Sequence, residues 1–155
     1  MTPAQAADQK DEKLLTQWQE EKHRNFFDWP VDEARMSRGF LPNRRRPHLG
    51  IDLAAAKGTK IMAAHDGIVI YTGHDFRGFG KMVMIEGSEG WATLYAHFSK
   101  ITVKEGDQVK QGDVIGAMGR TGHATGVHLH FEVRKSLGPV DPLLYLPAGT
   151  RLARQ

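Results

Sequence analysis

Short strands bounded by glycine predict a mainly β fold, with an antiparallel β-sheet or sandwich core and a short N-terminal helix. The chain has 155 residues, including 17 glycines and 7 prolines, and contains few long apolar runs. This composition is typical of many short strands joined by turns. The length fits one domain that is large enough to bury a core.

The first element is the predicted helix, which falls within residues 8–27. This segment is rich in charge and lacks glycine and proline, and Leu14, Leu15 and Trp18 form a narrow apolar stripe at helical spacing. Trp29 precedes a proline, and a residue in that position is disfavoured in a helix. We assign residues 1–28 to a helical or linker segment, 29–147 to the folded domain and 148–155 to a C-terminal tail.

The strands are predicted from segments rich in β-branched and aromatic residues between glycines. Gly87–Gly90 has the length and composition of a hairpin connection. Two Gly-Asp pairs, beginning at Gly106 and Gly112, indicate tight turns. The predicted strands are residues 67–73, 81–86, 91–97 and 127–133.

Charge and cysteine content narrow the classes of function. The net charge is +3 and the basic run Arg44–Arg46 stands without a basic helix or aromatic platform, so we expect a solvated loop and no nucleic-acid partner. No cysteine is present, so disulfides and thiolate ligands are excluded and any metal must bind imidazole and carboxylate. No stretch has the length of a membrane span.

Five residues form the candidate site. His128 and His130 lie two apart in a predicted strand and so share one face, and His48 and Asp52 lie four apart, which places them on one face of a strand or a helix. His97 stands between the two pairs. Two imidazoles and a carboxylate are a known catalytic zinc set, in which the fourth position stays open for water. The surplus imidazoles would serve proton chemistry, so the pattern favours a zinc hydrolase over a structural zinc site.

The segments Pro47–Asp52, Tyr95–His97 and Gly122–Glu132 resemble the lysostaphin-type (LytM-like) zinc endopeptidases, which act in bacterial cell-wall turnover. The similarity runs in the family's order from about residue 29 to 145. It implies that residues 29–147 form a lysostaphin-type zinc peptidase domain.

The resemblance also implies roles for individual residues. His48, Asp52 and His130 would bind Zn²⁺, and His97 and His128 would be the catalytic pair. The implied substrate is the peptide part of peptidoglycan, cut at cross-links that involve D-amino acids or at glycine bridges. The basic surface favours D-Ala–diaminopimelate cross-links, and therefore a D,D-endopeptidase. We therefore expect a periplasmic or cell-envelope location, stem peptides as partners, and an envelope protein as a further partner of the N-terminal helix.

Three alternatives remain open at this stage. The first is a non-catalytic or auto-occluded regulator of another cell-wall hydrolase, because many relatives have lost ligands and activate amidases. The second is a zinc hydrolase with a substrate outside the cell wall. The third is a lipoyl- or biotin-carrier-like module, suggested by the turns of residues 103–116, although Lys81 lacks the residue context of a modifiable lysine.

Overall fold

The computed structural model of the protein describes residues 11–12, 14, 26–136, 138–148 and 153–154. A short 3₁₀ helix spans Pro142–Leu144. The strands among these residues are β1 (Arg35–Arg38), β2 (Ile51–Ala54), β3 (Lys60–Met62), β4 (Gly67–Gly73), β5 (Met82–Glu86), β6 (Ala92–Ala96), β7 (Phe98–Ile101), β8 (Gln108–Val109), β9 (Val114–Met118), β10 (His128–Lys135), β11 (Gly138–Val140) and β12 (Ala153–Arg154).

Two sheets contain these strands. The larger has the order β12-β1-β2-β10-β6-β5-β4-β8, with β11 also paired to β10, and the smaller has the order β3-β9-β7. Strand pairs are antiparallel except for the parallel pair of β1 and β12. The predicted mainly β, antiparallel fold is confirmed.

The predicted strands and turns agree with the structure in detail. β4 has the predicted bounds, β5 and β6 lie within their predicted segments, and β10 extends two residues further, to Lys135. Gly106 and Gly112 have φ of 91° and 92°, a region open mainly to glycine. The following residues, Asp107 and Asp113, each accept a hydrogen bond from the backbone N–H three residues earlier, at 3.0 and 2.8 Å.

The core fills the space between the two sheets. Leu129 and Phe131 of β10 are fully buried, on the face opposite to His128 and His130. Each such side chain stabilises the fold by about 1.5–3 kcal/mol relative to an exposed position. Other fully buried members are Ile51, Leu53, Ile61, Ile85, Tyr95, Phe98, Ile115 and Met118.

The predicted N-terminal helix lies largely outside the described residues. Asp11, Glu12, Leu14 and Phe26 are described, and all four are helical. Phe27 is fully buried and packs edge-to-face on Trp91, with ring centroids 5.2 Å apart. No helix in the described part of the chain has the length and apolar character of a membrane span.

Candidate metal centre and active site

The register of the large sheet places the site residues in one row. Asp52 of β2 lies opposite His130 of β10 on one side and opposite Arg38 of β1 on the other. Residues directly opposite each other in antiparallel strands present their side chains on the same face. His128 lies opposite Ala54, two residues further along β2, and therefore also shares this face.

The structure brings the three predicted zinc ligands together. Asp52 Oδ1 lies 3.1 Å from His48 Nε2 and 2.9 Å from His130 Nδ1. One ligand atom from each residue lies within 4.8 Å of the others, an arrangement that could hold a metal ion. His48 is placed by a backbone bridge to Leu41, with hydrogen bonds of 2.8 and 3.0 Å.

A second layer of hydrogen bonds orients the two imidazoles that are predicted to bind zinc. His48 Nδ1 donates to the carbonyl oxygen of Gly39 at 2.7 Å, which leaves Nε2 toward Asp52. His130 Nε2 donates to Glu132 Oε2 at 2.8 Å, which leaves Nδ1. Glu132 is almost completely buried, and its other oxygen accepts from Arg134 Nε and Nη2 at 2.9 and 2.6 Å. Carboxylates in this position typically raise the basicity of metal-binding histidines.

Asp52 and His130 shift each other's pKa in this cluster. Burial would raise the pKa of Asp52, but hydrogen bonds from His130 and His48 outweigh it, so the pKa is lowered and the carboxylate is anionic. Burial would lower the pKa of His130, but its bonds to Asp52 and Glu132 outweigh that effect and raise the pKa to about 9. An anionic oxygen with two oriented imidazoles is a donor set that Zn²⁺ binds. In a tetrahedral site such atoms lie about 3.3 Å apart, close to the 3.1 and 2.9 Å between Asp52 Oδ1 and the two imidazoles.

The two remaining predicted residues, His97 and His128, lie next to each other. Their ring centroids are 4.7 Å apart. His97 Nδ1 donates to the carbonyl oxygen of Thr121 at 2.6 Å, and His128 Nδ1 donates to that of Gly126 at 3.0 Å. Because a carbonyl oxygen only accepts, both rings keep Nε2 for other partners. His128 Nε2 lies 3.7 Å from Asp52 Oδ2.

His97 differs from an ordinary histidine in backbone and in acidity. Its φ is 70°, a left-handed conformation that is unusual for a residue other than glycine and that often marks functional sites. Burial lowers its pKa more than the hydrogen bond to Thr121 raises it, and the charges of His128 and His130 lower it further, so the pKa is about 4. His97 is therefore neutral at pH 7.

A groove of about 310 Å³ contains all five predicted residues. Five of its side chains, and the buried Glu132 behind it, were not predicted from the sequence. Glu132 lies two residues after His130 in the same strand and therefore on the same face. This spacing was the sequence signal that could have identified it. A larger cleft, of about 710 Å³, contains none of the predicted residues. The additional groove side chains are Arg38, Arg77, His123 and Thr125, together with the ring of Phe79.

Two glycines pack closely against each other and hold together the two loops that form one wall of the groove. Gly80 and Gly122 have φ of 62° and 76°, and a Cβ on Gly80 would lie 2.4 Å from the carbonyl carbon of Thr121. His123 N donates to the carbonyl oxygen of Gly78 at 3.0 Å. This close packing holds the Thr121 carbonyl where it contacts His97.

Comparison with known proteins agrees with this geometry. The model of peptidase family M23 matches residues 46–142. The chain is 46% identical over 119 residues to a lipoprotein NlpD/LppB homolog of Pseudomonas aeruginosa, covering 77% of this chain and 39% of that protein. It is 46% identical over 98 residues to the DD-carboxypeptidase/endopeptidase Mpg of Neisseria meningitidis serogroup B, covering 63% of this chain and 22% of that protein.

A solved structure shows the same fold. A zinc-containing peptidase from Vibrio cholerae superposes with a TM-score of 0.71 at 37% sequence identity, covering 79% of this chain and 40% of the other. The chain thus spans less than half the length of each of the relatives described here.

Proposed function

The chain belongs to peptidase family M23, and from that membership we propose that it is a zinc-dependent endopeptidase that hydrolyses peptide cross-links of bacterial peptidoglycan. Within that class we assign it to D,D-endopeptidases that cut D-Ala–diaminopimelate bonds. The observation that carries the proposal is the completeness of the site, since all five predicted side chains line one groove. The printed name of the meningococcal relative, a DD-carboxypeptidase/endopeptidase, supports the choice of bond.

His48, Asp52 and His130 would hold the zinc ion. When bound, zinc supplies Lewis-acid polarisation of the scissile carbonyl and makes the attacking water more acidic. The chain contributes two oriented imidazoles and one carboxylate, so three protein ligands are available, and a catalytic zinc site of this kind would keep a fourth position for water.

His97 would accept the proton of the attacking water. Its Nδ1 is engaged by the Thr121 carbonyl, so Nε2 is the acceptor, and its lowered pKa keeps the ring neutral near pH 7. His128, whose Nε2 lies 3.7 Å from Asp52 Oδ2, would stabilise negative charge that develops on the carbonyl oxygen. An electrostatic contribution of this kind is often worth about 3 kcal/mol in the transition state.

We place the protein outside the cytoplasm, in the periplasm or cell envelope, where its substrate lies. The Pseudomonas relative is named a lipoprotein, which supports an envelope location. Peptidoglycan stem peptides are the proposed partners, and an envelope protein bound by residues 1–28 is the proposed second partner.

Mass analysis of digests tests the function directly. Zinc-loaded protein is incubated with muropeptide dimers of defined cross-link, with and without a chelator. We expect chelator-sensitive release of monomers from D-Ala–diaminopimelate dimers. Cleavage that persists in chelator would contradict the zinc mechanism. Absence of cleavage with zinc bound would contradict the enzyme assignment and favour the regulatory alternative.

A further inference from the structure

We propose that Arg38 and Arg77 are specificity-determining residues that bind carboxylates of the substrate at the groove. The inference rests on the proposed function and adds a substrate class to it, namely cross-linked peptides that carry free carboxylates near the scissile bond. Both guanidinium groups belong to exposed residues that line the same groove as the five site residues.

Arg38 lies directly beside the proposed metal ligands. Its Cα partner across the sheet is Asp52, and the register between β1 and β2 shifts between Met36 and Arg38. Such an irregularity re-aims the side chain that follows it, and bulges are common next to active sites. Within the described ranges, Arg38 makes no ion pair with Asp52 or with any other carboxylate.

Arg77 reaches the groove from the loop between β4 and β5. The close packing of Gly80 on Gly122 fixes this loop, so Arg77 is held near the groove by a constrained backbone. The nearest carboxylate along the chain, Asp75, accepts a hydrogen bond from the Tyr71 hydroxyl at 2.7 Å. Arg77 also has no ion-pair partner among the residues that the structure describes.

The charge of the groove favours an anionic ligand. Asp52 is the single carboxylate among the residues that line it, and Asp52 is a proposed metal ligand. A substrate that covers Arg38 and Arg77 would remove water from both, and this costs free energy unless acceptors replace the water. Carboxylates match the guanidinium group in charge and geometry. A neutral glycine bridge supplies no such group, whereas stem peptides with diaminopimelate do.

Paired substrates separate this role from a general effect on activity. One substrate is a D-Ala–diaminopimelate muropeptide dimer with free carboxylates, and the other is the same dimer with its diaminopimelate carboxylates amidated. Zinc-loaded wild type, Arg38→Gln and Arg77→Gln are compared by kcat/KM on both. The matched control is Arg44→Gln, which changes an exposed arginine outside the groove lining. Equilibrium binding of both dimers is measured in parallel on zinc-loaded His128→Ala protein.

We expect wild type to prefer the acidic dimer, and each groove variant to lose about tenfold in kcat/KM on that dimer, the size of one charge-assisted hydrogen bond. The amidated dimer should be cleaved equally by all variants, and the Arg44→Gln variant should match wild type. Equal losses on both dimers, or no loss on either, would overturn the inference. If wild type cleaves neither dimer, the proposed function fails. In that case the inference is tested by the affinities of the His128→Ala protein for the acidic and the amidated dimer, and equal affinities overturn it.

Discussion

Each histidine of the site presents one selected nitrogen, because a hydrogen bond fixes the other. Nδ1 donates to a backbone carbonyl oxygen in His48, His97 and His128, which leaves Nε2 available for other partners in each ring. In His130 the two nitrogens exchange roles, because Nε2 donates to Glu132 and Nδ1 faces the proposed metal position. In the neutral rings that metal binding requires, these partners determine which nitrogen carries the proton.

Loss of the Glu132 charge should weaken zinc binding. Glu132→Gln keeps the size of the side chain but removes the negative partner of His130 and of Arg134. We expect zinc affinity to fall by about 10- to 100-fold, the usual effect of changing such a partner. Competition with a chromophoric chelator measures it, with Glu33→Gln as an exposed control. An unchanged affinity would show that Glu132 has no role in orienting His130.

At the residue scale the sequence predicted the histidines and Asp52 but not the groove arginines. The five predicted residues lie in compact motifs whose spacing already indicates shared faces. Arg38 and Arg77 are far apart in the chain, and both line the groove, one beside a strand irregularity and the other in a loop that glycines fix. Neither feature leaves a local sequence pattern, so only the structure could reveal the pair.

At the scale of elements, strand β10 joins the core to the site. Its alternation buries Leu129 and Phe131 on one face and presents His128 and His130 on the other. A shift of one residue in register would exchange the two faces. Burial of the apolar pair therefore also fixes the position of the imidazoles, which is why the sequence alone could predict this part of the site.

The loop contact between Gly80 and Gly122 should be essential for the groove. In Gly80→Ala, the new Cβ would collide with the backbone of Thr121, which holds His97. We expect a loss of about 1–3 kcal/mol in the free energy of unfolding and a fall in kcat/KM. Urea unfolding and muropeptide cleavage measure these effects.

Gly106→Ala is the matched control for that variant. Gly106 also has a positive φ, of 91°, but a Cβ there would meet no atom within 4 Å. The control should therefore show backbone strain alone and retain turnover. Equal losses of turnover in the two variants would contradict a specific role for the loop contact.

At the scale of the whole molecule, the fold class was predictable and the order of strands was not. Glycine spacing and β-branched residues indicate individual strands. The site, however, needs β2 beside β10, and the Asp52–His130 contact spans 78 residues of sequence. Local patterns carry no information on such non-local pairing.

The buried histidine His65 should make the fold sensitive to acid. It is fully buried, with its ring nitrogens 2.8 Å from Thr93 Oγ1 and from the Asp66 carbonyl oxygen. Burial lowers its pKa below the ordinary value of 6.5. As the pH falls below 6.5, the unfolded chain binds a proton that the folded chain does not, so stability is present above that pH and is lost below it.

We measure the free energy of unfolding from about pH 7.5 to about pH 5, a range that spans the ordinary pKa of histidine. Wild type should lose up to about 1.4 kcal/mol per pH unit more than His65→Gln in the acidic part of the range. His74→Gln, at an exposed histidine, should follow wild type. Parallel pH profiles for wild type and the His65→Gln variant would contradict the assignment.

The division of the site into metal ligands and catalytic residues is tested most directly by the zinc content and turnover of two variants. His128→Ala and His130→Ala change adjacent imidazoles on one face of β10. We expect the His128→Ala variant to keep most of its zinc while its turnover is abolished, and the His130→Ala variant to lose both zinc and turnover. Metal analysis that finds zinc retained after loss of His130, or turnover that persists after loss of His128, would contradict the account.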